Sequence, residues 1–182
     1  SRTLQYALLL LVLISIFGFW YYKQRERKHK KRFHAILKEI ESLQNKTAKK
    51  APQLYTINDE NIIKILQGLE KFENKLLFLK KKCTLTYVAK KVQTNSTYLS
   101  KTLQSHKQKK FVQYITDLRI DYALTQLKND SKFRAYDVKS IASELGFNSS
   151  ESFSKAFKKQ TGIYPSFYIK NLNNLKDVEN DS

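Results

Sequence analysis

The side chains able to do chemistry in this chain are mostly cations and hydroxyls at helical spacing. Between residues 96 and 104, turning Leu99 and Leu103 inward leaves Ser96, Thr97, Ser100, Lys101 and Gln104 facing outward. Between residues 150 and 155, turning Phe153 and Phe157 inward leaves Ser150, Glu151, Ser154 and Lys155 outward. Lysine can reach O6 and N7 of guanine, glutamine can pair with adenine, serine and threonine accept several partners, and a carboxylate can accept from cytosine N4. Glu151 also stands three residues after Asn148, the spacing of a helix-capping box, and that role is the stronger expectation for it. Lys107, Lys109, Lys110, Lys158 and Lys159 flank these sets, and with Ser96 they suit phosphate oxygens, which position a duplex without reading it.

Other chemistries find little support. One cysteine, Cys83, excludes an internal disulfide, and with only 3 histidines it leaves no four-ligand zinc set. Cys83 follows basic residues 80 to 82 and reads as a small buried or half-buried filler rather than a redox switch. Gly18, Gly68, Gly146 and Gly162 are scattered, so no phosphate-cradling glycine loop exists. No nucleophile–base pair or metal cluster is evident, so no cofactor, no metal and no catalytic residue are expected. The chain reads as a non-enzyme.

The elements that must carry these side chains are helices. Only 4 glycines and 2 prolines occur in 182 residues, too few turn-formers for a sandwich or barrel. Ile62, Ile65, Leu66, Leu69, Phe72, Leu76, Leu77 and Leu79 form an apolar stripe, with Thr56 or Asn58 able to cap its start. Two later segments repeat one another. Val88, Ala89 and Val92 match Ile141, Ala142 and Leu145 at an offset of 53, and Leu99 to Leu103 match Phe153 to Phe157 at 54. One residue is therefore inserted in the second turn. Each copy reads helix, turn, helix. Thr84 and Asn95 cap the first pair, Asp137 and either Asn148 or Ser149 cap the second, and Gly146 closes the helix before it. Between the copies, Phe111, Ile115, Leu118 and Tyr122 form one stripe and Ile120, Ala123, Leu124 and Leu127 another. That predicts a connector helix packed on both sides.

The formal charge is +18, and it falls in two patches: residues 1–50 hold 12 basic and 3 acidic side chains, residues 80–182 hold 19 and 9. Such an excess asks for an anionic partner. Leu4 to Tyr22 are almost wholly apolar, and 19 residues at a rise of ~1.5 Å span roughly 28 Å, close to a bilayer core. Trp20, Tyr21 and Tyr22 end the run, and residues 23–32 follow with seven Lys/Arg against one Glu. A single membrane-spanning helix with a cytoplasmic C-terminal side is the expectation. Phe33, Ile36, Ile40 and Leu43 continue as an amphipathic helix, expected to be a solvated stalk near anionic lipid. Residues 46–61 read as a linker. With Ser1 first and no Met, the chain reads as a fragment or processed product.

The duplicated region resembles the DNA-binding domain of AraC-type transcription regulators. The resemblance rests on Ala89, TNSTYLSK (94–101), DLRIDYAL (117–124) and IASELGFNSSESFSKAFKKQTGIYPSFY (141–168), and covers about residues 75–172. It implies base readers at Thr97, Ser100, Lys101, Ser150, Glu151, Ser154 and Lys155, with Gln104 added by its outward position, and a bracing role for Arg119 in the connector. The resulting fold class is all-α. It has a transmembrane helix at 1–22, a basic juxtamembrane helix and linker at 23–60, and a DNA-binding domain at 61–182. In that domain the helix-turn-helix units lie at about 84–106 and 137–160, joined by a connector at 111–128. The implied function is a membrane-anchored, sequence-specific transcription regulator in the inner membrane. Its partners would be double-stranded DNA and membrane lipid, with RNA polymerase and a homodimer through an upstream region also admitted. The other reading is a basic membrane-associated scaffold binding anionic lipid or polyanions, which leaves the repeat unexplained. The chain departs from the family pattern at two places. Gln93 stands where glycine is usual, and a left-handed non-glycine costs ~1–2 kcal/mol, so an altered first turn is expected. Ile169-Lys170 follow the final Tyr168 where arginine is common.

Overall fold

The computed structural model describes Phe17, residues 31–40 and residues 60–180. The apolar run 4–22 (Phe17 apart), most of the basic block, Leu43 and the linker up to residue 59 lie outside the described residues. Among the described residues no helix is long and apolar enough to cross a membrane. The described elements are helical: α1 (31–40), α2 (Glu60–Asn74), a 3-10 turn (Leu77–Leu79), α3 (Leu85–Lys91), α4 (Ser96–His106), α5 (Phe111–Asn129), α6 (Ser131–Arg134), α7 (Val138–Glu144), α8 (Ser150–Thr161) and α9 (Pro165–Asn180).

Local chemistry sets the helix starts. Thr84 Oγ1 accepts from the Tyr87 N–H at 3.2 Å, and Asn95 Oδ1 accepts from Tyr98 N–H at 2.8 Å. Asp137 Oδ1 accepts from Ser140 N–H at 2.6 Å, and this donation holds its carboxyl below the ordinary carboxylate range. Each of these bonds satisfies a donor that the first helical turn would otherwise leave without a partner. Before α8 the cap is Ser149, not Asn148. Its hydroxyl accepts from Ser152 N–H, and the Ser152 hydroxyl serves the Ser149 N–H in return. The capping role expected for Glu151 is thus corrected: Ser152 holds the reciprocal position, and Glu151 is exposed.

Packing divides the molecule into two cores that share α5. One contains Ile65, Leu69, Phe72 and Phe78 with Val88, Ala89, Leu99 and Leu103, closed by Tyr114 and Ile115. The other contains Ile120, Ala123, Leu124 and Leu127 with Ile141, Leu145, Phe153, Phe157 and Tyr168. The two stripes of the connector therefore face the two units as expected. Burial of this kind contributes about 1.5–3 kcal/mol per large apolar side chain, so each unit is held to α5 by its own core.

Two expectations need correction, and two further features complete the helices. The apolar stripe of α2 ends at Phe72. Leu76 takes φ 52° and is 40% exposed, because the chain reverses there into the turn that buries Phe78. The connector is followed by the short helix α6, whose Arg134 is buried and donates to the Leu127 carbonyl at 2.6 Å, closing the end of α5. The last helix, α9, runs from Pro165 to Asn180. Most consequentially, α1 is not a solvated stalk. Phe33 is 1% exposed and belongs to the second unit's core, as does Ile40. An apolar face at helical spacing shows that a helix is covered, and here protein covers it.

Candidate nucleic-acid interface

The two helix-turn-helix copies match in backbone hydrogen bonding as well as in sequence. In the first, Thr94 N–H donates to Ala89 O at 2.9 Å and Gln93 N–H to Lys90 O at 3.3 Å. In the second, Phe147 N–H donates to Ala142 O at 2.9 Å and Gly146 N–H to Ser143 O at 3.0 Å. Every partner is displaced by 53 residues. The next helix cap moves from Asn95 to Ser149, so Asn148 is the inserted residue. Gln93 holds φ 57° and Gly146 φ 78°. The altered first turn expected from Gln93 is therefore absent: the left-handed bend is kept, and a glutamine carries its cost.

These turns aim α4 and α8 outward. On α4, Leu99, Thr102 and Leu103 are buried, and the opposite side presents Thr97, Lys101 and Gln104 at i, i+4 and i+7, all exposed. Ser96 and Ser100 lie half-buried on its flank. On α8, Phe153, Phe157 and Thr161 are buried. Glu151 and Lys155 are exposed on the opposite side, with Lys159 one turn further on. Ser150 and Ser154 are half-buried beside that stripe. All eight expected base readers thus reach the surface, with Thr97, Lys101, Gln104, Glu151 and Lys155 central.

The lysines expected at phosphates divide differently. Lys110 and Lys159 are exposed, and with Lys109, Val112 and Gln160 they line a groove of about 610 Å³ between α5 and α8. Lys109 is paired with Asp117 at 2.7 Å, and Lys107 lies 3.7 Å from Glu73. Lys158 sits over the Tyr164 ring, 4.2 Å from its centroid, and donates to the Tyr164 hydroxyl at 3.0 Å. These three lysines hold neighbouring elements as well as adding positive charge.

Arg119 joins the units. Its Nε donates to the Phe78 carbonyl at 2.8 Å and its Nη2 to the Lys80 carbonyl at 2.9 Å. Its guanidinium also lies 5.5 Å from the centre of the Phe147 ring. The expected bracing is thus made through backbone carbonyls of the first unit and an aromatic ring of the second. A side chain on Gly146 would run into the Leu79 carbonyl and Arg119, so glycine is required there for approach as well as for φ. Cys83 is half-buried, and burial pushes its thiol upward, which suits a filler better than a reactive thiol. Sequence reasoning missed Arg134 and Phe33. A buried arginine that closes a helix end has no distinctive spacing, and the partner of Phe33 lies 135 residues away in Tyr168.

Comparison with known proteins adds the family. Residues 88–171 match the helix-turn-helix domain family. That segment, just under half of the chain, is similar to the helix-turn-helix domains of transcriptional regulatory proteins. The transcriptional regulatory protein YesN of Bacillus subtilis is 40% identical over 73 residues, which cover 40% of this chain and 19% of YesN. Among solved structures, the C-terminal domain of AraT, a response regulator from Geobacillus stearothermophilus, superposes with TM-score 0.52. At 22% identity it covers 66% of this chain and 88% of that one. The DNA-binding domain of AdpA, a global transcriptional factor crystallised with a target DNA, gives TM-score 0.53 at 16% identity, covering 62% and 96%. At these identities the likeness concerns the fold. The chain spans less than a third of the length of the curated relatives it matches.

Proposed function

We propose that this chain carries the DNA-binding domain of a membrane-anchored, sequence-specific transcription regulator. In this reading α4 and α8 enter adjacent major-groove segments on one face of a duplex. Thr97, Ser100, Lys101 and Gln104 read the first segment, and Ser150, Glu151, Ser154 and Lys155 the second. Ser96, Lys107, Lys109, Lys110, Lys158 and Lys159 set register against the phosphates. The carrying observation is the duplicated unit itself: two hydrogen-bonded copies, each presenting a polar stripe on its second helix while the first helix braces it. A polyanion-binding scaffold has no need of matched turns or of a rigid joint at Arg119.

The membrane anchor is argued from sequence. The apolar run 4–22 is long enough to span, and the basic block 23–32 favours a cytoplasmic side. The DNA-binding domain would then work at the inner face of the inner membrane. RNA polymerase contact and dimerisation through upstream residues belong to the same reading. Selection of random-sequence duplexes by this chain tests its DNA part. Enrichment of one bipartite motif is the expected result, and a pool that stays random after repeated rounds would contradict it.

A further inference from the structure

Each unit is braced by a helix outside the repeat. For the first unit the brace is α2, through Ile65, Leu69 and Phe72. For the second it is α1, which lies outside the family-matched segment 88–171. The two braces follow one another in the chain, yet the earlier one serves the later unit.

The contacts of α1 lead to the second reading helix. The Phe33 ring meets Tyr168 edge-on at 5.3 Å between centroids. Tyr168 meets Phe157 at 5.6 Å, Phe157 meets Phe153 at 5.6 Å, and Phe153 meets Phe147 at 5.4 Å. Phe153 and Phe157 are the inward side of α8. One residue before Phe33, the Arg32 guanidinium occupies the space beside Gly162, the left-handed residue that ends α8. A cation there also complements the carbonyl end of that helix. α1 thus holds α8 from behind and at its C-terminal end. The outward stripe Glu151–Lys155 begins at the N-terminal end, so docking of α1 and DNA contact are compatible. No residue of α1 belongs to the first unit's core.

We propose that Phe33 and Arg32 are positioning residues for the second reading helix, so that docking of α1 sets affinity and base preference at the second half-site and leaves the first alone. The proposal rests on the DNA-reading function above. Since α1 begins within the basic block 23–32, a displacement arriving from upstream acts on one half-site rather than on the whole domain.

The test uses the 182-residue chain, its variants Phe33→Ala, Phe33→Leu and Arg32→Gln, and a duplex selected by the wild type. Two further duplexes have one half-site scrambled. Binding is measured well below the thermal midpoint of every variant, and amide exchange is followed in α4 and α8 without DNA. Phe33→Ala is expected to weaken binding about tenfold wherever the second half-site is intact, and to leave the duplex with only the first half-site unchanged. Phe33→Leu recovers most of that loss, and exchange accelerates in α8 but not in α4. Equal weakening at both half-sites, as a general loss of stability would give, overturns the proposal, and so does unchanged binding at both. If the wild type prefers no sequence, the DNA-reading function fails. The exchange measurement still bears on positioning, and unaltered α8 exchange in Phe33→Ala overturns that separately.

Discussion

At the residue scale, the proposed function divides the lysines into those that read bases and those that position the duplex. Lys101 and Lys155 are exposed at the centre of their helix faces, whereas Lys159 lines the groove beside α5. Lys101→Ala and Lys155→Ala should each cost about 1–3 kcal/mol on the selected duplex and relax preference at one position. Lys159→Ala should weaken all sequences alike and flatten the salt dependence by about one unit of slope. Three identical profiles in a competition assay would contradict the division. Gln93 supplies a second residue-scale outcome. It holds φ 57° where the second copy uses Gly146. Gln93→Gly should raise stability by about 0.5–1 kcal/mol in denaturant melts, since relief of left-handed strain exceeds the entropy glycine loses on folding. A loss of stability would mean that the glutamine side chain supports the turn.

At the element scale, the connector fixes the relation between the two reading helices. α5 has 19 residues, or roughly 28 Å, still short of the ~34 Å between successive major-groove faces. Docking both units should therefore bend the duplex. A gel-shift phasing series should show mobility varying with helical phase, and a flat series with both half-sites protected would remove the idea. This scale also shows how far the sequence could be read. Thr84, Asn95 and Asp137 were legible as caps because a short polar side chain before an apolar periodic run has one good use. Ser149 and Asn148 could not be separated, because the choice depends on the reciprocal bond from Ser152. Leu76 kept the apolar rhythm of α2 while its backbone left the helix, and hydrophobicity carries no record of φ. The left-handed turn at Gln93 was missed for the converse reason: residue type argued against it, and the surrounding hydrogen bonds impose it.

At the scale of the whole molecule, two cores share one connector, and each has its own bracing helix. The duplication was legible because related residues recur at offsets of 53 and 54. The place of α1 was not, since an amphipathic pattern reveals an apolar face without naming what covers it. The outward sets on α4 and α8 were legible for the same periodic reason that their inward leucines and phenylalanines were. The pairing of Lys107, Lys109 and Lys158 was not, because it depends on how the turns bring separated side chains together. Positive charge by itself draws any polyanion, so the decisive quantity is discrimination rather than affinity. The most direct measurement is competition between the selected duplex and a scrambled one across a salt series. Affinity for both should fall steeply with salt, while the selected duplex stays at least about a thousandfold preferred throughout. A ratio that collapses toward unity at every salt concentration would contradict sequence reading and leave only a basic surface.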